Sequence, residues 1–204
     1  ANSEINDMNF DFSDDQKQLR DTARKFLAEK CPPKAVRAVI DGKAPYDRDL
    51  WKGLAEMGFL GVAIPESYGG TGAGHLELCV ISEEMGRALA PLRSEGVLIV
   101  ATGSITHNFG WLQWQETGDP PPLPEAETFA DWVAARAAAQ DVAALLDYRS
   151  APHGAAAHPT EEHFLPFFVA LGAANSDPPT RHRPPFAYGG LAMDAYVWQY
   201  ASGH

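Results

Sequence analysis

Glu83-Glu84-Met85-Gly86-Arg87-Ala88-Leu89-Ala90-Pro91 is where the chain changes character. On its N-terminal side lie all six lysines (Lys17, Lys25, Lys30, Lys34, Lys43 and Lys52) and a single tryptophan, Trp51. On its C-terminal side lie no lysine, four tryptophans and, counting Pro91, twelve of the sixteen prolines. Residues 1–90 carry a net charge of −4 and residues 91–204 one of −7. A shift of this kind marks a seam, and we divide the chain there into a helical segment, 1–90, and a second segment, 91–204.

Working outward toward the N-terminus, the pattern is helical. The quoted stretch closes a helix predicted over 74–89, with Leu78, Cys79, Met85 and Leu89 facing inward. Before it, Ser67-Tyr68-Gly69-Gly70-Thr71-Gly72 reads as a loop, and 59–65 as a buried connection. Asp47 or Asp49 can cap a helix through Leu50, Trp51, Leu54 and Met57, with Gly58 placed to stop it. Pro32-Pro33 separates a short helix over 33–40 from a longer one that starts at Ser13-Asp14-Asp15-Gln16. That tetrapeptide has the form of a capping box, and Leu19, Ala23, Phe26 and Leu27 follow at helical spacing.

Toward the C-terminus the period changes. Val97-Leu98-Ile99-Val100-Ala101 is a short continuous apolar run, predicted as a buried strand. It leads into Thr102-Gly103-Ser104-Ile105-Thr106-His107-Asn108, a loop at the end of a strand where ligands commonly sit. Helices are expected over 127–139 and 141–148, and another from Pro159 to Leu171 with Gly172 as its stop. Residues 190–199 alternate loosely and read as a final strand. The fold class expected is α+β (or α/β): an N-terminal helical bundle followed by a small sheet flanked by helices.

Composition removes several functions. The net charge of −11 over 204 residues argues against nucleic acid and anionic membrane as partners. No apolar run approaches the roughly 20 residues that span a bilayer. The N-terminus lacks the basic and apolar regions of a signal peptide, and Cys31 and Cys79 are too few for a disulfide framework, so a reducing cytoplasm is expected.

Five of seven histidines fall between 107 and 182: His107, His153, His158, His163 and His182. Imidazole is the commonest protein ligand for zinc and iron, and two or three histidines with a carboxylate can hold a catalytic metal. His158-Pro159-Thr160-Glu161-Glu162-His163 offers two imidazoles and two carboxylates, though not at zincin spacing. The same residues are also what a helix start recruits, with proline first and acids in its opening turn. Gly69-Gly70-Thr71-Gly72-Ala73-Gly74 lacks the lysine of a phosphate loop and follows no strand, so it reads as a flexible turn.

Two resemblances rest on these residues. Residues 8–90 resemble the N-terminal helical domain of acyl-CoA dehydrogenases. The carriers are Phe12-Ser13-Asp14-Asp15-Gln16, Leu54-Ala55-Glu56-Met57-Gly58-Phe59-Leu60-Gly61, Pro65-Glu66-Ser67-Tyr68-Gly69-Gly70 and the opening stretch itself. Residues 84–204 resemble the C-terminal part of the 4,5-DOPA dioxygenase type of class III extradiol ring-cleavage enzymes. Leu92-Arg93-Ser94-Glu95-Gly96-Val97-Leu98-Ile99, Gly103-Ser104-Ile105-Thr106-His107-Asn108, the stretch from His158 to Ala173, and Tyr188-Gly189-Gly190-Leu191-Ala192-Met193 carry it. The 85–90 helix suits both families, so the chain looks like a chimera with its crossover there.

The acyl-CoA dehydrogenase resemblance implies no flavin chemistry, because FAD in that family also needs later domains without a counterpart here. The dioxygenase resemblance implies a divalent metal, iron or zinc, with His107 and His163 matching the family's later ligand pair. Its two early histidine motifs have no match, and His75 in Ala73-Gly74-His75-Leu76 does not fit the first. His158, Glu161, Glu162 or a second chain would have to complete the ligand set. The resemblance further implies a small aromatic substrate of catechol type and a histidine that shuttles the proton, for which His158 is the candidate. Missing sheet strands would leave edges exposed, and homo-oligomerisation, most simply a dimer, would cover them. The alternative reading is a non-catalytic fusion product or interaction module, with neither flavin nor ring-cleavage activity.

Overall fold

The structure, a computed structural model, describes residues 12–115, 120–175 and 177–199. It is α+β, with eight α-helices and one two-stranded antiparallel sheet among the described residues. Helix α1 (Asp14–Lys30) begins with the expected capping box: Gln16 N–H donates to the Ser13 hydroxyl at 3.2 Å and Ser13 N–H to Gln16 Oε1 at 2.9 Å. Helix α2 (Pro33–Ile40) follows the proline pair, and α3 (Arg48–Glu56) is capped by the Asp47 carboxylate. Gly58 sits just past α3 at φ 76°, a left-handed conformation that glycine adopts without strain. The glycine loop is tied down rather than flexible. Thr71, Gly72 and Ala73 donate backbone hydrogen bonds to Gly61, Ile64 and Val62.

Helix α4 (His75–Leu89) organises both halves of the molecule. Its Ile81 joins Ala23, Leu27, Leu54, Phe59 and Val62 in a small core against α1 and α3. Its Cys79 and Val80 join a larger core built from Phe129, Val133, Leu145, Tyr148, Phe164 and Phe168. The buried Glu84 takes a two-pronged ion pair from Arg24 of α1, at 2.6 and 2.9 Å, while Glu83 takes Arg87 one turn on.

The larger core is enclosed by α5 (Pro124–Ala138), α6 (Val142–Leu146), α7 (Gly154–Ala157) and α8 (Leu165–Ala173). Helices α4 and α8 cross at backbone contact. A Cβ on Gly86 would stand 2.0 Å from the Val169 carbonyl oxygen, and one on Gly172 would stand 1.9 Å from that of Glu83. The sheet is a peripheral pair, β1 (Thr180–His182) with β2 (Ala195–Val197), in the register Thr180↔Val197, Arg181↔Tyr196, His182↔Ala195.

Three expectations are corrected. Residues 97–101 form no strand: Leu98 is 83% and Val100 70% exposed, and the backbone of 98–103 bonds no other described backbone group. A buried strand needs neighbours on both sides, and no described strand pairs with this run. The helix expected from Pro159 starts only at Leu165, with Pro166 rather than Pro159 in its first turn, and Gly172 lies inside it as a packing contact. The final strand shrinks to residues 195–197. No helix among the described residues is long and apolar enough to cross a membrane.

Candidate metal centre

Residues 103–108 cross the loop 158–164, and short hydrogen bonds fix the crossing from both sides. Gly103 permits it, since a Cβ there would stand 2.1 Å from the His163 carbonyl oxygen. Ser104 N–H donates to that same oxygen at 2.9 Å, and His107 N–H to the Ala157 carbonyl at 2.8 Å. On the other side, the buried Thr106 hydroxyl donates to the Gly190 carbonyl and accepts from Ala192 N–H, both at 2.7 Å. The two backbones are thereby locked in register.

That register brings His107 and His163 together, with ring centroids 3.6 Å apart and ring planes 28° from parallel. Glu162 completes a cluster in which one donor atom from each of the three residues lies within 4.8 Å of the others. Burial, and then the neighbouring His163, hold the His107 pKa below the usual imidazole value. The Glu162 carboxyl is also held below its usual value, by its own backbone N–H and by the Thr160 hydroxyl, which donates to it at 2.8 Å. A neutral imidazole beside a charged carboxylate is the form in which both bind a metal. Two imidazoles and one carboxylate on one open face are a donor set suited to non-haem iron(II), and with a further ligand to zinc. The residues present therefore fit a divalent cation of this class.

His158 does not join them. Its ring is fully buried, stacked on Phe164 at 4.7 Å and edge-on to Phe129 and Tyr148. Nε2 lies 2.8 Å from the Ile105 carbonyl oxygen, which can only accept, so Nε2 carries the proton. Burial pushes its pKa down to about 4. Glu161 also turns away from the cluster, toward Arg149 at 3.1 Å and His75. The adjacent carboxylates thus serve different partners, a division that spacing does not reveal. His153 is exposed and precedes α7 in a left-handed conformation, with no capping bond from its side chain.

A groove of about 900 Å³ opens beside His163. It runs between residues 97–105 and 194–199, floored by Phe167, Tyr196 and Trp198, whose rings contact one another.

Comparison with known proteins follows the two halves. Residues 13–111 match the family described as acyl-CoA dehydrogenase, N-terminal domain, and residues 81–197 match that of the catalytic LigB subunit of aromatic ring-opening dioxygenase. The two matches overlap over residues 81–111, from the second half of α4 onward. A 4,5-DOPA dioxygenase extradiol from Escherichia coli (strain K12) is 38% identical over 99 residues, covering 47% of this chain and 36% of that protein. One from Beta vulgaris is 37% identical over 99 residues, 46% of this chain and 34% of that protein. Mitochondrial isovaleryl-CoA dehydrogenase from Pongo abelii is 42% identical over 76 residues, 37% of this chain and 18% of that protein. Each match spans about a third of the dioxygenases and under a fifth of the dehydrogenase.

Proposed function

Because the chain belongs, through residues 81–197, to the family of the catalytic LigB subunit of aromatic ring-opening dioxygenases, we propose that it is a metal-dependent enzyme of extradiol type acting on catecholic aromatics. The observation that carries the reading is the convergence of His107, Glu162 and His163 in a chain that joins this family to an acyl-CoA dehydrogenase-like segment. In this reading the three side chains hold iron or zinc, which supplies Lewis acidity to the catechol oxygens. The aromatic groove beside His163 receives the substrate ring and excludes water from one of its faces. The buried His158 ring, donating through Nε2 to the Ile105 carbonyl, ties the 105 and 158 backbones together in this reading, and we assign it this structural role in place of the proton shuttle that the resemblance implies. We keep the division at residue 90, with α4 serving both segments, and a cytoplasmic setting in which Cys31 and Cys79 stay reduced.

The test is metal content of protein purified without a metal column, followed by assay with DOPA and protocatechuate. Near-stoichiometric iron or zinc and a yellow ring-opened product are expected. Both should be lost in His107→Ala and His163→Ala. A folded protein that takes up neither metal would overturn the reading.

A second reading has its own observation. Within the apolar run 97–101, residues 98–101 bond no other described backbone group, and the side chains of Leu98 and Val100 are exposed. This is the edge at which a second copy of the chain would add a strand, making the molecule an interaction module or an obligate homodimer. Such a module would be indifferent to chelators and to substitution of His107.

A further inference from the structure

Glu162 and His163 sit inside a tight turn, and Glu161 closes it. The Glu161 carbonyl accepts hydrogen bonds from Phe164 N–H at 2.8 Å and Leu165 N–H at 3.0 Å, so the two residues between are held in one tight bend at the start of α8. The Glu161 side chain, only 15% exposed, fixes that bend to the rest of the molecule. Arg149 donates through Nη1 to Glu161 Oε1 at 3.1 Å and to the His158 carbonyl at 3.0 Å, so one guanidinium holds both the first residue of the loop and the residue that precedes the ligands. The same Oε1 meets Nδ1 of His75, the first residue of α4. Among the described residues, every other hydrogen bond or ion pair on this loop comes from the dioxygenase-like segment, and His75 alone comes from upstream of the crossover.

We propose that His75 is a positioning residue for the metal ligands. By holding Glu161 from the acyl-CoA dehydrogenase-like side, it sets the turn that aims Glu162 and His163 at His107. The helical segment thereby takes part in the site without touching the metal, in the way that outer hydrogen-bond partners orient ligands in metalloproteins. The Nδ1–H donor, rather than the bulk of the ring, is the working part. Gln16, on α1, reaches the same end of α4 by donating to Glu77 at 3.0 Å. It has no bond to the loop, which makes it a matched control.

The inference rests on the metal reading above, and the experiment separates their failures. Full-length chain, stripped with a chelator and desalted, is titrated with zinc chloride by calorimetry, with unfolding midpoints recorded in chelator. Wild type should bind one zinc, and His107→Ala none. His75→Phe should bind about tenfold more weakly or worse, with its metal-free unfolding midpoint close to that of wild type. His75→Gln, whose amide still donates, should retain most of the affinity, and Gln16→Ala all of it. Unchanged affinity in His75→Phe would overturn the positioning role and leave the metal reading standing. Equal weakening in His75→Phe and His75→Gln would overturn the donor role. A wild-type chain that binds no zinc would overturn both readings.

Discussion

At the scale of the residue, the neighbours Glu161 and Glu162 show how little of a site is written in its spacing. Both were candidate ligands, with His107, His158 and His163, in a sequence that offers five histidines over this region. Which carboxylate faces the imidazoles is decided by Arg149 and His75, one of them far upstream, and no local pattern announces that. His158 was legible as special but not as what it is, a neutral ring buried on a backbone carbonyl. Its position has a consequence for stability. The unfolded imidazole takes a proton near pH 6.5, and the folded one only near pH 4. Between those values the unfolded state binds more protons, so the contribution is complete above the upper value and is lost as the pH falls through the window. Urea unfolding at about pH 7 and about pH 5 should show wild type losing about 2 kcal/mol more than His158→Leu over that interval. Equal losses in the two proteins would remove His158 as the source.

At the scale of the element, what the sequence disclosed was local. The capping box at Ser13, the Asp47 cap and the Gly58 stop are contained within a turn of the groups they satisfy, and each appears in the structure as read. The start of α8 was missed because Pro159 and Pro166 both satisfy the rule for a first-turn proline, and only the Glu161 turn selects the second. Residues 97–101 were missed because an apolar run signals burial without supplying the strands that would bury it. The crossing of α4 and α8 is the element on which the two halves depend. Gly172→Ala adds a good helix former, yet its methyl would meet the Glu83 carbonyl. Overpacking should outweigh propensity, leaving a net loss of about 1–3 kcal/mol, read as a lower urea midpoint.

At the scale of the whole molecule, a chain of net charge −11 repels its copies wherever its acidic surface faces them. Residues 97–106 carry no charged side chain, so the open run at 97–101 is a place where two copies can meet at low electrostatic cost. Sedimentation at micromolar concentration should find a dimer, and Val100→Lys, an edge charge of the kind that blocks strand pairing, should return it to monomer. A wild-type monomer would remove the edge as a dimer interface. The sharing of α4 between two cores bears, finally, on how such a chain can be assembled. Each residue advances a helix by about 100°, so a join inside α4 that gained or lost one residue would swing Cys79 and Val80 out of register with Gly86, and no side of the helix would then serve its proper core. Splicing is tolerated only at offsets near whole turns (three, four or seven residues), and of the many ways to recombine two genes within this helix, most yield a chain that cannot fold.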